Sequence, residues 1–178
     1  ESFQSDAQAR EFDVTAKISF TEVGELIGME GDFNNAIGAY SIFPRSSIGD
    51  SIQAAVQLGA PYKMEGMSSR SRTFWQNKPP SGAIRGVGQP IPCTVTEQLI
   101  DMAARKLGED PALFRKRHYL NRESFPHTTH GGLYMDKLSL ADCLDLLIDQ
   151  MSYFQLREEQ KRLRRKGILR GIGIATFV

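Results

Sequence analysis

Prolines, glycines and one arginine are concentrated in a single segment, Lys78-Pro79-Pro80-Ser81-Gly82-Ala83-Ile84-Arg85-Gly86-Val87-Gly88-Gln89-Pro90. The prolines fix φ and lack backbone donors, whereas the glycines permit φ > 0 and a close approach to the main chain. Such a loop can aim backbone N–H groups at a ligand, and Arg85 adds a planar guanidinium suited to anions. Composition alone favours the alternative, an ordinary surface loop with an exposed arginine. The segment is not a dinucleotide-binding fingerprint, because Ile91 stands where the third glycine of G-x-G-x-x-G is needed.

Two helices are predicted directly after this loop. A capping-box pattern, Thr94-x-x-Glu97, predicts the start of the first helix, and Gly108 predicts its end. Its amides could favour an anionic cofactor, or the capping side chains could satisfy them. Asp110-Pro111 predicts the start of a second helix, which runs to about residue 120. The apolar stripe of the first helix consists of Val95, Leu99, Ile100, Met102, Ala103 and Leu107.

Before the loop, the chain has the pattern of a β-hairpin. Apolar residues alternate with polar ones from Phe12 to Phe20, a turn follows at 21–25, and residues 26–33 read as the returning strand. Residues 46–58 favour a short helix, and 61–64 and 72–76 favour extended segments. Trp75 is interpreted as a packing residue rather than a ligand-stacking one.

The remaining third of the chain is predicted to be mainly helical. Ser139-x-x-Asp142 predicts the start of a long helix that continues to Lys166 and stops at Gly167, and residues 168–178 alternate as in a closely packed strand. The basic run Arg115-Lys116-Arg117, with Arg122, is interpreted as a solvated face or a set of local ion pairs. His127 and His130 could bind a metal, but hydrogen-bonded loop residues are the simpler interpretation.

The composition excludes several classes of protein. The net charge is +1, so neither an acidic partner nor a nucleic-acid partner is expected. Cys93 and Cys143, the two cysteines, support no disulfide framework and no C-x-x-C metal or cluster site. No apolar run has the length of a membrane helix and no signal peptide is evident, so a cytoplasmic location is expected. The absence of an initiator methionine and an ending inside an apolar run indicate an internal fragment.

The order of the motifs along the chain is also informative. Asp32 is followed by Gly38-Ala39-Tyr40, then by Asn77 and the loop, then by Thr96-Glu97-Gln98-Leu99-Ile100-Asp101-Met102-Ala103-Ala104-Arg105-Lys106-Leu107-Gly108 and Asp110-Pro111, and last by Arg170-Gly171-Ile172-Gly173-Ile174-Ala175. This collinear set resembles the molybdenum-cofactor-binding large subunit of the xanthine dehydrogenase, aldehyde oxidase and carbon monoxide dehydrogenase family. The resemblance covers nearly the whole chain.

The resemblance implies an α+β fold within a two-domain cofactor-binding subunit. Residues 1–92 would form the end of the first molybdopterin-binding domain, and residues 93–178 the linking helices and the start of the second. Family members oxidise aldehydes or N-heterocycles by water-derived hydroxylation, with hydride transfer to a molybdenum sulfido group. The implied cofactor is molybdopterin with molybdenum, in its cytosine dinucleotide form. Partner subunits or domains would carry iron-sulfur clusters and FAD, so the parent protein is expected to be a hetero-oligomer.

The resemblance also assigns candidate site residues. Ile84, Arg85, Gly86, Val87 and Gly88 would bind the cofactor, with the Arg85 amide near the oxygen ligands of the metal. The family's base glutamate and main pterin loop fall outside these residues, so no catalytic residue is expected in this chain and the chain alone is expected to be inactive.

Two positions would line the substrate pocket, Gln53 and Val87. They replace the arginine and the aromatic residue that bind purine in xanthine dehydrogenases, so purine oxidation is not favoured. Gly86 stands where carbon monoxide dehydrogenases carry a copper-binding cysteine, which argues against carbon monoxide oxidation. The competing hypothesis is a non-catalytic binding or assembly module whose glycine loop is only structural.

Overall fold

A computed structural model describes residues 6–44 and 46–178 of the chain. Its first feature is the predicted hairpin, in which strand β1 (Glu11–Phe20) pairs antiparallel with strand β2 (Leu26–Ala36). The Thr21 amide donates to the Glu25 carbonyl oxygen over 2.9 Å and closes the turn. The alternation in β1 is confirmed, because one face of the strand packs on the core with Phe12, Val14, Ala16, Ile18 and Phe20.

Helix α1 (Gly49–Val56) links β2 to a third strand, β3 (Gly66–Phe74). The α1 prediction is confirmed, and β3 pairs parallel with β2 to give the sheet order β1-β2-β3. Residues 61–64 form no strand; only Tyr62 makes a single bridge, to Tyr119. The packing interpretation of Trp75 is wrong, because this side chain directly follows the end of β3 and is 63% exposed.

Helix α2 (Pro90–Leu107) packs its buried side chains against β1. It ends at Gly108, whose φ of 71° confirms the predicted C-cap. The predicted capping box is wrong, since the helix begins at Pro90, well before Thr94, and proline is preorganised for the first helical position. Met102 was wrongly placed in the apolar stripe: it lies two residues from Ile100 and therefore on another side of the helix, where it is exposed.

Helix α3 (Pro111–His118) starts as predicted, with the Asp110 carboxylate accepting hydrogen bonds from the Ala112 and Leu113 amides. The single long helix that was predicted next is wrong. Helices α4 (Leu140–Gln150) and α5 (Tyr153–Arg165) are separated at Ser152, which has a φ of 49°. The Ser139 side chain makes no cap hydrogen bond to α4.

Residues 168–178 form no strand, so that prediction is also wrong. No strand among the described residues lies beside this segment, and side chains bind it instead. Arg115 donates to the Ile174 carbonyl oxygen over 3.0 Å, and the Cys93 thiol donates to that of Thr176 over 3.5 Å. The segment is therefore held on α2 and α3 without a β-ladder.

The predicted α+β class is confirmed by these elements, which are completed by a 3₁₀ helix (Arg122–Ser124) and a short pair of strands, β4 (His127–Thr128) and β5 (Tyr134–Met135). The main core lies between the sheet and α2 and includes Met29, Phe33, Leu58, Ile100 and Phe114. In the described part of the chain, no helix is both long and apolar enough to cross a membrane. The division into domains at residues 92 and 93 stays a prediction.

Candidate functional site

The base of the proline-glycine loop is fixed to the end of β2. The Ser81 amide donates to the Ile37 carbonyl oxygen over 2.9 Å, and the Ala39 amide donates to that of Lys78 over 3.1 Å. Gly38 has a φ of 80°, and a Cβ atom there would lie 2.4 Å from the Pro79 carbonyl oxygen. Only glycine permits this approach, so the Gly38-Ala39-Tyr40 motif and the loop form one unit.

The tip of the loop is a turn formed by residues 84–88. Gly86 and Gly88 have φ values of 82° and 67°, and the Gln89 amide donates to the Gly86 carbonyl oxygen over 3.0 Å. A Cβ atom on Gly88 would lie 2.4 Å from the Asp50 carbonyl oxygen, so the turn sits directly on the first turn of α1. The side chains of Ile84 and Arg85 are exposed.

A buried ion pair lies under the turn. The Arg10 guanidinium donates to the Ile84 carbonyl oxygen over 3.0 Å, and its Nε lies 3.7 Å from Asp50 Oδ1. Burial raises the pKa of the Asp50 carboxyl, while the charge of Arg10 and the Gly88 amide partly oppose that rise. Sequence reasoning missed both residues: Arg10 lies in a polar stretch whose first five residues are outside the described ones, and nothing in the periodicity marks Asp50 as buried.

The turn and α1 enclose an open groove of about 740 Å³. It brings together three of the predicted site residues, Gln53, Gly86 and Val87, whereas Ile84, Arg85 and Gly88 do not line it. Its other walls are mainly aliphatic. Gln57 Nε2 donates to Gln53 Oε1 over 2.6 Å, and the Gln53 NH₂ group has no hydrogen-bond partner within residues 6–44 and 46–178. The lining residues are Ser46, Ile48, Gly49, Ile52, Gln53, Ala83, Gly86, Val87 and Gln89.

The turn presents backbone donors. Within residues 6–44 and 46–178, the amides of Arg85, Gly86 and Val87 donate to no backbone or side-chain acceptor. The nearest atom to a Cβ built on Gly86 is 3.5 Å away, on Pro90, so the space around this glycine is open. Free amides in a glycine turn form the kind of concavity that binds anionic oxygen atoms.

The start of α2 offers no comparable donors. Pro90 and Pro92 have no N–H group, and the Ile91 amide donates to the Gly88 carbonyl oxygen over 3.3 Å. The expectation that the first amides of this helix favour an anion is therefore not met by the described residues. The free donors lie in the turn before the helix.

A second polar cluster lies between α2 and α3, away from the groove. Arg115 is fully buried and donates to Glu97 Oε2 and Asp101 Oδ1 over 2.7 and 2.6 Å, and Tyr62 donates to Glu97 Oε1 over 2.8 Å. Burial would lower the pKa of the Arg115 guanidinium, but these partners raise it above its usual value. The interpretation of Arg115 as part of a solvated face is wrong, whereas its interpretation as an ion-paired residue is confirmed.

The rest of the basic run also forms ion pairs, although the partners lie outside α3 rather than within the same helix as predicted. Lys116 pairs with Asp145, and Arg117 pairs with Glu109. Around His127 and His130, the described residues contain no group of three or more potential metal ligands. His130 Nε2 hydrogen-bonds to the Met64 carbonyl oxygen over 3.1 Å, as a loop residue does.

A family model described as the molybdopterin cofactor-binding domain matches residues 1–119. The gamma subunit of the 6-hydroxypseudooxynicotine dehydrogenase complex of Paenarthrobacter nicotinovorans is 25% identical over 100% of this chain and 23% of its own length. Aldehyde oxidoreductase of Megalodesulfovibrio gigas is 30% identical over 93% of this chain and 18% of its own length.

Solved structures are similar as well. Quinoline 2-oxidoreductase from Pseudomonas putida 86 superposes with a TM-score of 0.84 and 28% identity, covering 93% of this chain and 21% of that one. The chain thus spans about a fifth of the length of the relatives it matches.

Proposed function

This chain belongs to the molybdopterin cofactor-binding domain family, as a segment of a molybdenum hydroxylase large subunit, and from that premise we propose that the complete protein oxidises an aldehyde or an N-heterocycle. The observation that carries the proposal is the turn at 84–88, whose free amides border a groove that also contains Gln53 and Val87. A structural loop needs neither open donors nor a groove beside them.

The residues of the turn fit a cofactor with anionic oxygen atoms. The amides of Arg85, Gly86 and Val87 would donate to them, and the open space at Gly86 admits the approach. When bound, the molybdopterin cofactor supplies hydroxylation of a carbon atom with an oxygen from water. In this role the chain contributes fixed donors rather than a proton-transferring group, and the exposed Arg85 guanidinium adds positive charge to the turn.

The groove favours a neutral, mainly apolar substrate. Ile48, Ile52 and Val87 supply aliphatic contacts, and the Gln53 NH₂ group can donate to one heteroatom of a ring or to a carbonyl group. Purine is disfavoured, because Gln53 and Val87 provide neither the charge nor the aromatic face that the family uses for it. Carbon monoxide is disfavoured because Gly86 cannot ligate copper.

Cofactor form, partners and domain division belong to the same proposal. We assign the cytosine dinucleotide form of molybdopterin, with iron-sulfur clusters and FAD on partner subunits or domains. The relatives support a hetero-oligomer, since one is the gamma subunit of a dehydrogenase complex and another is the large subunit of a nicotine hydroxylase. Residues 1–92 would end the first cofactor-binding domain and residues 93–178 would begin the second.

The test is metal and product analysis of the complete protein, purified from its native source. We expect about one molybdenum atom per subunit and, from water labelled with ¹⁸O, incorporation of label into a hydroxylated heterocycle or a carboxylic acid. Quinoline and an aromatic aldehyde are suitable probes, with xanthine and carbon monoxide as contrasts. A complete protein that contains no molybdenum would refute the proposal and favour the non-catalytic binding or assembly module.

A further inference from the structure

The ion pair of Arg10 and Asp50 touches both ends of the turn at 84–88. We propose that this pair is a clamp that positions the turn's backbone donors against the groove, so that Arg10 and Asp50 are positioning residues of the site. The inference rests on the proposed function and concerns residues that would not themselves contact cofactor or substrate.

One half of the clamp holds the first carbonyl groups of the turn. Arg10 Nη2 lies 3.0 Å from the Ile84 carbonyl oxygen and 3.5 Å from that of Arg85. A planar guanidinium can bind two neighbouring oxygen atoms from one fixed orientation. With the carbonyl groups of Ile84 and Arg85 bound to Arg10, the following peptide planes are restricted in their rotation.

The other half holds the end of the turn. Gly88 packs so closely on α1 that a Cβ atom would lie 2.4 Å from the Asp50 carbonyl oxygen and 2.7 Å from Gln53 Cβ. Since Asp50 and Gln53 are one helical turn apart, the same contact sets the distance between the turn and the polar wall of the groove.

Burial makes the clamp stiff. The side chains of Arg10 and Asp50 are only 13% and 3% exposed, so the two charges face each other largely out of water, although Arg10 Nε and Asp50 Oδ1 are too far apart for a hydrogen bond. Removal of one leaves the other as a buried charge without a counter-charge. Arg10 directly precedes β1 and Asp50 lies in α1, so the pair also joins the turn to the sheet and the helix.

The experiment compares the complete wild-type protein with Arg10→Met and Asp50→Asn by hydrogen–deuterium exchange. In peptides that contain the Gly88 and Gln89 amides, we expect exchange about tenfold faster or more in both variants, the ratio expected for the loss of a charge-assisted hydrogen bond. The matched control is Asp32→Asn, which removes the same charge from an exposed Arg–Asp pair, formed with Arg72 between β2 and β3 and outside the groove. In Asp32→Asn, the hydrogen–deuterium exchange rate of the Gly88 and Gln89 amides should stay within about twofold of the wild-type rate.

Kinetics separate positioning from general stability. At equal molybdenum content, kcat should fall about tenfold in Arg10→Met and Asp50→Asn, while KM should change less than kcat, because Ile52 and Gln53 line the groove from α1 rather than from the turn. Unchanged exchange in both variants would overturn the clamp and leave the proposed function intact. Absence of molybdenum from the wild type would refute the proposed function, whatever the exchange shows. If Arg10→Met does not fold, Asp50→Asn, which keeps the side-chain size, decides the question.

Discussion

Arg85 is exposed and lies on a turn that is fixed by contacts of its backbone with other residues. Arg115, in contrast, is fully buried, and its side chain joins two helices. The turn is shaped through its backbone, by Gly86, Gly88 and the pair under them. The helix pair is shaped through side chains, by the bonds from Arg115 to Glu97 and Asp101. The buried Arg115 therefore contributes to the stability of the fold, whereas the exposed Arg85 contributes little to it.

The largest effect is expected from Arg115→Ala. It leaves Glu97 buried without its counter-charge, and the cost should be about 3–5 kcal/mol of unfolding free energy. Urea denaturation followed by circular dichroism measures the change. The matched control is Lys116→Ala, which breaks an exposed pair with Asp145 and should cost about 0–1 kcal/mol. Equal losses of unfolding free energy in the two variants would show that the buried and the exposed cation contribute equally to stability.

The next effect is expected within the turn, where Gly88→Ala and Gly86→Ala can be compared directly. Both residues have positive φ, which costs about 1–2 kcal/mol for a residue with a side chain. Only the Gly88 substitution also forces a Cβ atom against the Asp50 carbonyl oxygen, whereas the nearest atom at Gly86 is 3.5 Å away. Gly88→Ala should therefore lower the unfolding free energy by at least about 1 kcal/mol more than Gly86→Ala.

If the two glycine variants were equally stable in denaturant titrations, the turn would not be seated on α1 as described. In that case the backbone of the turn would be able to shift away from α1. The turn would then differ from the pair of helices joined by Arg115 in its flexibility.

The smallest effect on stability is expected from Arg85→Ala, within about 0.5 kcal/mol, because the side chain is exposed. Turnover of the complete protein should nevertheless fall by at least about tenfold, since the positive charge of the turn is lost. Thermal unfolding and steady-state kinetics of one preparation test both halves, and Arg85→Lys should recover part of the turnover. Unchanged kinetics with full cofactor content would assign Arg85 to an ordinary surface loop.

Local patterns predicted much of the fold. The period of two in β1, the glycine at the end of α2 and the Asp110-Pro111 start of α3 are signals that depend on neighbouring residues, and each is confirmed. The resemblance to the molybdenum hydroxylase family is confirmed as well. Predictions failed where several local signals competed: Thr94-x-x-Glu97 has the letters of a capping box, but Pro90 starts the helix earlier. The continuous charged pattern after Ser139 likewise hid the break at Ser152.

The order of the motifs and the glycines of the turn can be read directly from the residues, and they were sufficient to indicate the family. Three features became visible only in the packed chain: Arg115 is buried, residues 168–178 lie on two helices instead of forming a strand, and Arg10 and Asp50 meet under the turn. The reason is physical: helix periodicity and turn chemistry act over a few residues, whereas an ion pair between residues forty positions apart exists only when the sheet and α1 have packed together.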